Sequence, residues 1–315
     1  MADKSVTIVI VTYNSAKFTE NCLRSVQKLD TGRQNFDVVI VDNNSADATL
    51  REVRGNFPGI KIIENKINLG FAGANNVAIK EIKTKYVALL NPDTEVDNAW
   101  LSELVNIAES DPKIGMVGSK VLSLKDRKTV LSYGVTLCKS GRAIETIDAG
   151  MEPFCPSGVS TLYRKELLDS VGALDGDFFA YFEDVDLAWR AKRAGWKCAY
   201  ACKSIVYHHV SANWIYGSPA QMYYCIRNRL WTIAKNWPAS YILRYSFFFS
   251  SMALFQAFYV LLKSKSIRGF SALADCIKGL PRMIKRRKLN DSKPSLTPVF
   301  IPFSMELKLL GTKHK

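Results

Sequence analysis

The chain has 315 residues with 48% hydrophobic and 23% charged content, enough apolar material for one large domain or two modest ones and too much for a disordered chain. Its net charge of +14 is lopsided: residues 263–315 hold 13 Lys and Arg against 3 Asp and Glu, so the first 262 residues carry only +4. The seven cysteines include no C-x-x-C, and the Cys198–Cys202 spacing has no second pair, so a disulfide scaffold or zinc ribbon gives way to thiols in a reducing compartment.

Residues 1–5 lead straight into a strand, which predicts no secretory leader. Val6–Val11 is a nearly continuous β-branched run, the pattern of a strand buried on both faces. Thr12-Tyr13-Asn14-Ser15 follows, with Ser15 as the expected N-cap of a helix that sets Phe18, Cys22, Val26 and Leu29 on one face. Further strands are predicted at 36–41, 60–63, 86–90 and 114–117, with helices after Ser45, over 72–83 and over 100–109. Strands alternating with helices predict a Rossmann-like α/β domain, its sheet mostly parallel and covered on both faces.

Such sheets bind ligands beyond the carboxyl ends of their strands. Tyr13, Asp42, Asn68 and Asp93 each follow a predicted strand, which makes this half a nucleotide-binding unit. Neither G-x-G-x-x-G nor G-x-x-x-x-G-K-[ST] occurs, so phosphate charge must be met by a metal or by later basic residues. Asn91-Pro92-Asp93 puts a carboxylate where Mg²⁺ or Mn²⁺ can share it with phosphate oxygens, although the same tripeptide also makes an ordinary turn.

Residues 120–163 are turn-rich. There Cys155-Pro156-Ser157-Gly158 either lets backbone approach a ligand closely or is a plain turn. A short helix over 165–171 leads to Asp175–Arg190, where an aromatic run delivers Glu183, Asp184 and Asp186 within four positions. These acids either favour the start of a helix over 185–194, stopped by Gly195, or hold a general base at the wall of a pocket. Strands over 196–200 and 205–207 end in His208-His209, a structural pair or the completion of a metal site with Asp93.

From Ala220 the pattern is helical, with Met222, Ile226, Leu230, Ile233 and Trp237 in a stripe beside Arg227, Asn228 and Arg229. Tyr241–Leu262 carries one charge, Arg244, and approaches the ~20 residues that span a bilayer. Arg244, Gln256 and the serines favour a helix lying in the membrane interface. Residues 266–288 form a basic amphipathic helix ending in Lys285-Arg286-Arg287-Lys288, the composition of a peripheral anchor on an anionic membrane surface. A packed subdomain or a homo-oligomer interface is the alternative. Basic residues interleaved with an apolar stripe argue for lipid and against nucleic acid.

Taken in order, Val-Thr-Tyr-Asn (11–14), Val-Asp-Asn-Asn-Ser (41–45), Asn-Leu-Gly-Phe (68–71) with Asn75-Asn76, Leu-Leu-Asn-Pro-Asp-Thr (89–94), Phe-Glu-Asp-Val-Asp-Leu (182–187), Tyr-His-His (207–209) and Arg-Asn-Arg-Leu (227–230) form a specific set. The chain resembles the family 2 glycosyltransferases with the GT-A fold, especially the bacterial rhamnosyltransferase-like branch that builds surface polysaccharides. That resemblance runs from Val6 to about Trp237 and implies a catalytic domain over 1–237, with a nucleotide-sugar half over about 1–120 and an acceptor half over about 121–237. Residues 238–315 remain as a basic helical tail that associates with membrane.

The resemblance also implies roles. Thr12, Tyr13, Asn14, Asp42 and Asn44 face the nucleotide, with Asp42 accepting from a pyrimidine N–H. Asn68, Gly70 and Asn75 shape the ribose and diphosphate side. Asp93 is the metal carboxylate, His208 the second ligand with His209 as runner-up, and Mn²⁺ or Mg²⁺ the cofactor. Asn91 stands where the family's Asp-x-Asp has its first carboxylate, which weakens the metal site. Asp184 is the base, while Glu183, Gly158 and Arg227 meet the acceptor or the diphosphate. The implied reaction is inverting transfer from a nucleoside-diphosphate sugar, dTDP-rhamnose or a UDP-sugar, to a glycan or lipid-linked glycan at the inner face of the cell membrane. A non-catalytic nucleotide-sugar-binding protein of the same fold is the rival. A nucleotidyltransferase would need a phosphate-gripping loop after the first strand, which Val-Thr-Tyr-Asn lacks.

Overall fold

The computed structural model describes residues 5–30, 35–148, 150–209, 217–290 and 300–301. Two compact units result, residues 1–134 with 145–213, and residues 135–144 with 214–315.

In the first unit the strands are β1 (Val6–Thr12), β2 (Phe36–Asp42), β3 (Lys61–Glu64), β4 (Tyr86–Leu90), β5 (Thr94–Val96), β6 (Ile114–Ser123) and β7 (Val130–Ser132). The hairpin β8 (Val135–Cys138) and β9 (Ala143–Glu145) intervenes before β10 (Ser160–Arg164) and β11 (Lys197–His208). The central sheet runs β3-β2-β1-β4-β10-β6-β11-β5, with β7 paired to β6. Pairing is parallel from β3 through β2 and β1 to β4, antiparallel on both sides of β10, and parallel again between β6 and β11. The β-branched runs therefore build the parallel half, where β1 is buried along its whole length. From β10 onward the sheet is mixed.

Helices α1 (Ala16–Val26), α2 (Thr49–Asn56), α3 (Gly70–Glu81), α4 (Trp100–Ser110), α5 (Lys165–Val171) and α6 (Glu183–Arg193) belong to this unit. Ile8, Ile10, Leu23, Ile40, Leu90, Trp100 and Leu104 join one core cluster across strands and helices. Two local expectations change. Ser15 precedes α1 without capping it: its hydroxyl pairs with Thr19, and the Ala16 amide donates to Asp47 from the next loop. The two strands expected over 196–207 are one strand, β11, whose register against β6 shifts between Ala201 and Ile205. The shift lets Ser204 leave the ladder and donate to the Trp100 carbonyl.

The second unit contains α7 (Pro219–Asn236), α8 (Ala239–Ser264), α9 (Arg268–Asn290) and β12 (Phe300–Ile301), which pairs in parallel with β8. Ile226 of α7, Ala253 of α8 and Ala272 of α9 share a core. The compact-unit boundary thus falls before α7, whereas the sequence groups α7 with the catalytic residues up to 237. Residues 291–299 and 302–315 of the expected tail lie outside the described residues.

Candidate active site

At the carboxyl end of β2 the Asp42 carboxylate is buried and already engaged. Thr12 Oγ1 donates to it across 3.2 Å and the Ser45 amide across 2.9 Å. Asn14 and Asn44 adopt left-handed backbone at φ 48° and 68°, so the two loops turn sharply, and Asn14 Oδ1 accepts from the Ala46 amide. Tyr13 is 40% exposed, an accessible aromatic face beside a rigid floor.

Asn43, quoted in the motif without a role, is the hub of this end. Its Nδ2 donates to Asn68 Oδ1 and to the Gly70 carbonyl, and its Oδ1 accepts from Asn65 Nδ2 and the Leu69 amide. Asn68 Oδ1 also receives the Gly70 amide, while Asn75 Nδ2 bonds the Phe71 carbonyl one turn back within α3.

Gly70 has φ +71°, and an added Cβ would overlap the Phe179 carbonyl and ring. The Phe179 oxygen accepts the Ala72 amide at 3.1 Å, so the aromatic loop docks on the start of α3. Asn76 clamps the same loop from both sides, donating to the Leu174 carbonyl and accepting its amide. Three aromatic residues, Phe179, Tyr181 and Phe182, hold φ values of 67°, 69° and 71°, a region costly for side chains of this size. Such strain persists only where the surroundings over-determine it, here immediately before Glu183 and Asp184.

Helix α6 starts at Glu183, two residues earlier than the sequence predicts, because left-handed Phe182 turns the chain into it without a side-chain cap. Asp186 is fully buried and salt-bridged at 2.9 Å to Arg190, whose guanidinium also binds the carbonyls of Val171, Gly172 and Ala173. That acid is structural. Asp184 stays partly accessible. Its Oδ1 accepts the Val185 amide at 2.7 Å, and Gly158 lies directly beneath the carboxylate. Burial among protein atoms pushes its carboxyl up to about 6, against the nearby amides of Val185, Asp184 and Gly158, which lower it.

Glu183 is 5% exposed, its Oε2 has no hydrogen-bond partner among the described residues, and burial with the neighbouring Asp184 charge holds its carboxyl well above the usual range. Gly158 sits beneath both: a Cβ there would meet Asp184 Oδ2 at 3.3 Å and Glu183 Oε1 at 4.0 Å.

A residue absent from the sequence reading joins them. Glu145 accepts hydrogen bonds from Ser132 and, at 2.9 Å, from Ser157, the neighbour of Gly158. It keeps accessible surface, yet protein surrounds it closely enough that desolvation pushes its carboxyl to about 7, with Asp184 raising it and His208 lowering it. No motif flags a lone acid in a turn-rich stretch; the nearby serines become visible only on folding.

Asp93 and His208 meet where β5 pairs with β11. Asp93 Oδ1 lies 3.4 Å from His208 Nε2, close to the separation of adjacent ligands on one ion. His209 instead tilts its ring against Phe18 at 4.9 Å and gives its amide to the Asp93 carbonyl. No group of three or more His, Cys, Asp or Glu forms a cage among the described residues. Two protein ligands fit a hard ion that completes its shell with diphosphate oxygens and water. The Asn91 backbone is tied to Val159 and Thr94.

Arg227 lies in the second unit, stacked 4.2 Å from the Trp231 ring and bonded to Asn228. A cavity of about 1040 Å³ opens at the amino ends of β1 to β3, lined by residues such as Phe36, Lys61 and Lys85, and holds none of these groups.

A nucleotide-type parallel half followed by a mixed half, with carboxylates gathered beyond the strand ends, is the architecture of the GT-A glycosyltransferases. The chain belongs to glycosyl transferase family 2, whose model matches residues 7–172. It is 25% identical over 240 residues to the N-acetylglucosaminyl-diphospho-decaprenol L-rhamnosyltransferase of Mycobacterium tuberculosis, covering 64% of this chain and 75% of that one. Similarity to the poly-beta-1,6-N-acetyl-D-glucosamine synthase of Staphylococcus epidermidis is 24% over 195 residues, 59% of this chain and 45% of that one. The match to the uncharacterized protein y4gI of Sinorhizobium fredii, 27% identical, spans 61% of this chain and only 23% of that relative. Among solved structures, the mannosyltransferase PcManGT of Pyrobaculum calidifontis, in complex with GDP-Man and Mn²⁺, superposes with TM-score 0.58 at 18% identity, covering 91% and 85% of the two chains. S. aureus TarS 1–349 does so with TM-score 0.58 at 20% identity, covering 90% and 83%.

Proposed function

We propose that this chain is an inverting, divalent-metal-dependent glycosyltransferase. It moves a sugar from a nucleoside-diphosphate sugar, dTDP-rhamnose or a UDP-sugar, to a hydroxyl of a growing, lipid-linked surface glycan at the inner face of the cell membrane. The observation that carries the reading is Asp184: a half-buried carboxylate with a raised carboxyl, held by the Val185 amide at the end of a strained loop. The rhamnosyltransferase and poly-N-acetylglucosamine synthase relatives support the substrate classes.

In this reading the acceptor O–H gives its proton to Asp184 as its oxygen attacks the anomeric carbon. The anomeric C–O bond on the opposite face breaks, and its electron pair leaves with the nucleoside diphosphate. Asp93 and His208 would hold the Mn²⁺ or Mg²⁺ that supplies positive charge at the leaving diphosphate. Asp42, Asn43, Asn68 and Gly70 set the donor floor, with Tyr13 against the base. Glu145 is a positioning residue, gripping Ser157 so that the adjacent Gly158 stays close beneath Asp184. Glu183, its carboxyl held above the usual range by burial and the neighbouring Asp184 charge, meets the acceptor or the diphosphate.

A thermal-shift panel of UDP-, dTDP- and GDP-sugars, each with and without Mn²⁺ or Mg²⁺, tests donor and metal together. One nucleotide class is expected to raise the melting temperature, and more so with metal. If no nucleotide sugar shifts the transition under any ion, the proposed function is wrong.

A further inference from the structure

Helix α8 is apolar on two faces: one packs into the protein, and the other is largely exposed, with Phe258 edge-on to Phe270 of α9 at 5.1 Å. Tyr245, Ala253, Ala257 and Val260 are buried along one side. Leu243, Phe247, Leu254, Phe258 and Leu262 recur at helical spacing along the other, with Phe255 beside them, and Leu243, Phe247 and Leu262 are 80%, 77% and 80% exposed. An exposed hydrocarbon stripe of this length marks an interaction surface. α8 is also long and apolar enough to cross a bilayer: its best window has mean hydropathy 1.5 with 17% buried.

Two observations decide what covers the stripe. The first is charge. Residues 239–290 hold ten Lys and Arg and a single acid, Asp275, which is taken up by Tyr223 and Lys278. Exposed cations flank exposed apolar residues: Ile277 and Ile284 lie seven apart on α9, with Lys278 and Lys285 next to them, and Ile267-Arg268 leads into that helix. A second copy would bring the same positive charge against this one, whereas anionic lipid complements it.

The second is packing. Gly269 lies so close to α8 that a Cβ would meet the Ala257 Cα at 2.6 Å, and Gly279 lies against the Trp231 ring. Together with the Ile226–Ala253–Ala272 core, this ties α8 to α7 and to a helix studded with cations. A bilayer-spanning α8 would draw that charge toward hydrocarbon, which is strongly unfavourable.

We infer that α8 and α9 form a docking surface for an anionic membrane, with α8 lying in the plane of the interface and its Leu243–Phe247–Phe258–Leu262 stripe immersed among the acyl chains. The inference deepens the membrane-side placement proposed above and rests on it, but not on the identity of donor or acceptor.

The test is co-sedimentation of the full chain with vesicles of phosphatidylcholine alone and of phosphatidylcholine with phosphatidylglycerol, followed by extraction in alkaline carbonate. Binding about tenfold or more tighter to the anionic vesicles, weakened by salt and released by carbonate, is expected. F247E/F255E should weaken binding to both vesicle types by an order of magnitude or more. R268E/K285E should erase the preference for anionic lipid. Melting curves and the nucleotide-sugar thermal shift should stay unchanged in both variants, which separates lost docking from lost folding and from failure of the glycosyltransferase reading. Carbonate-resistant insertion equal in neutral and anionic vesicles would make α8 a span and overturn the in-plane inference. Absence of vesicle binding, whether as monomer or as a concentration-dependent dimer, would overturn the membrane surface altogether.

Discussion

The two units break the burial rule in opposite directions. The first unit holds carboxylates that burial raises: Glu183 is 5% exposed with an oxygen lacking a partner among the described residues, Asp184 is half-buried, and Glu145 is raised although it keeps accessible surface. In the second, Phe247 and Leu262 stand in solvent at 77% and 80% exposure. A buried acid and an exposed phenyl ring both cost free energy in the isolated chain. Asp186 shows what a buried acid looks like when structure alone explains it, because Arg190 and three carbonyls complete its network. The contrast teaches where external partners belong: a polar one beneath Asp184 and an apolar one on α8.

The sharpest way to break the comparison is Asp184→Asn. Turnover, followed by release of nucleoside diphosphate, should fall by about 10²–10⁴-fold, while the donor-induced thermal shift survives. The same substitution should not destabilise the fold at neutral pH. Asp184 and Glu145 keep their protons to higher pH in the folded chain than in the unfolded one. Folding therefore takes up protons between the ordinary carboxylate range and pH about 6 for Asp184, or about 7 for Glu145, and this contribution to stability is lost as pH rises through that window. Asp184→Asn removes one ionisation the folded state resists, so its melting temperature at pH 8 should equal or exceed that of the parent. A clear drop would make Asp184 structural, like Asp186.

Next in size is Asp93→Ala, expected to lower turnover by about 10–100-fold and to erase the Mn²⁺-dependent part of the nucleotide thermal shift. Full activity in EDTA would remove the metal from the mechanism. For the parent enzyme, kcat should fall about tenfold per pH unit below about 6, where Asp184 becomes protonated. A flat profile down to pH 5 would detach the base from this carboxyl.

Gly70→Ala is the smallest and the most local. It adds a Cβ at φ +71° into the Phe179 carbonyl, so the aromatic loop must shift or α3 must fray. A loss of about 1–3 kcal/mol in chemical denaturation is expected, together with a fall in kcat larger than any change in donor KM. A rise in donor KM with kcat unchanged would place Gly70 in donor binding alone.

Most of the parallel half was legible in the sequence, because β-branched runs closed by polar loops admit one reading, and β4 falls on the predicted 86–90. Asp93, Asp184 and Gly158 were legible as candidates through their motifs. Other features needed the folded chain. The start of α6 was misplaced because its acids read as caps, while the turn is made by the backbone of Phe182. Glu145 has no local signature, since its serines come from positions 13 residues before and 12 after it. The choice between His208 and His209 was hidden by the irregularity at Cys202–Ser204, which breaks the two-residue alternation that tells one face of a strand from the other. The extent of the second unit was hidden as well, because the stripe on α7 gives an apolar face without saying that Ala253 and Ala272 will cover it.

That irregularity in β11 has a consequence for how the proposed cation site would tolerate sequence change. Its ligand sits at the far end of a strand whose register is already offset once, opposite Thr94 on β5. Sliding β11 by one residue against β5 would withdraw His208 and deliver His209 to the place facing Asp93. Tandem imidazoles therefore give the proposed site a spare: a one-residue deletion upstream that would disarm a single-histidine site leaves this one with a ligand of the same chemistry.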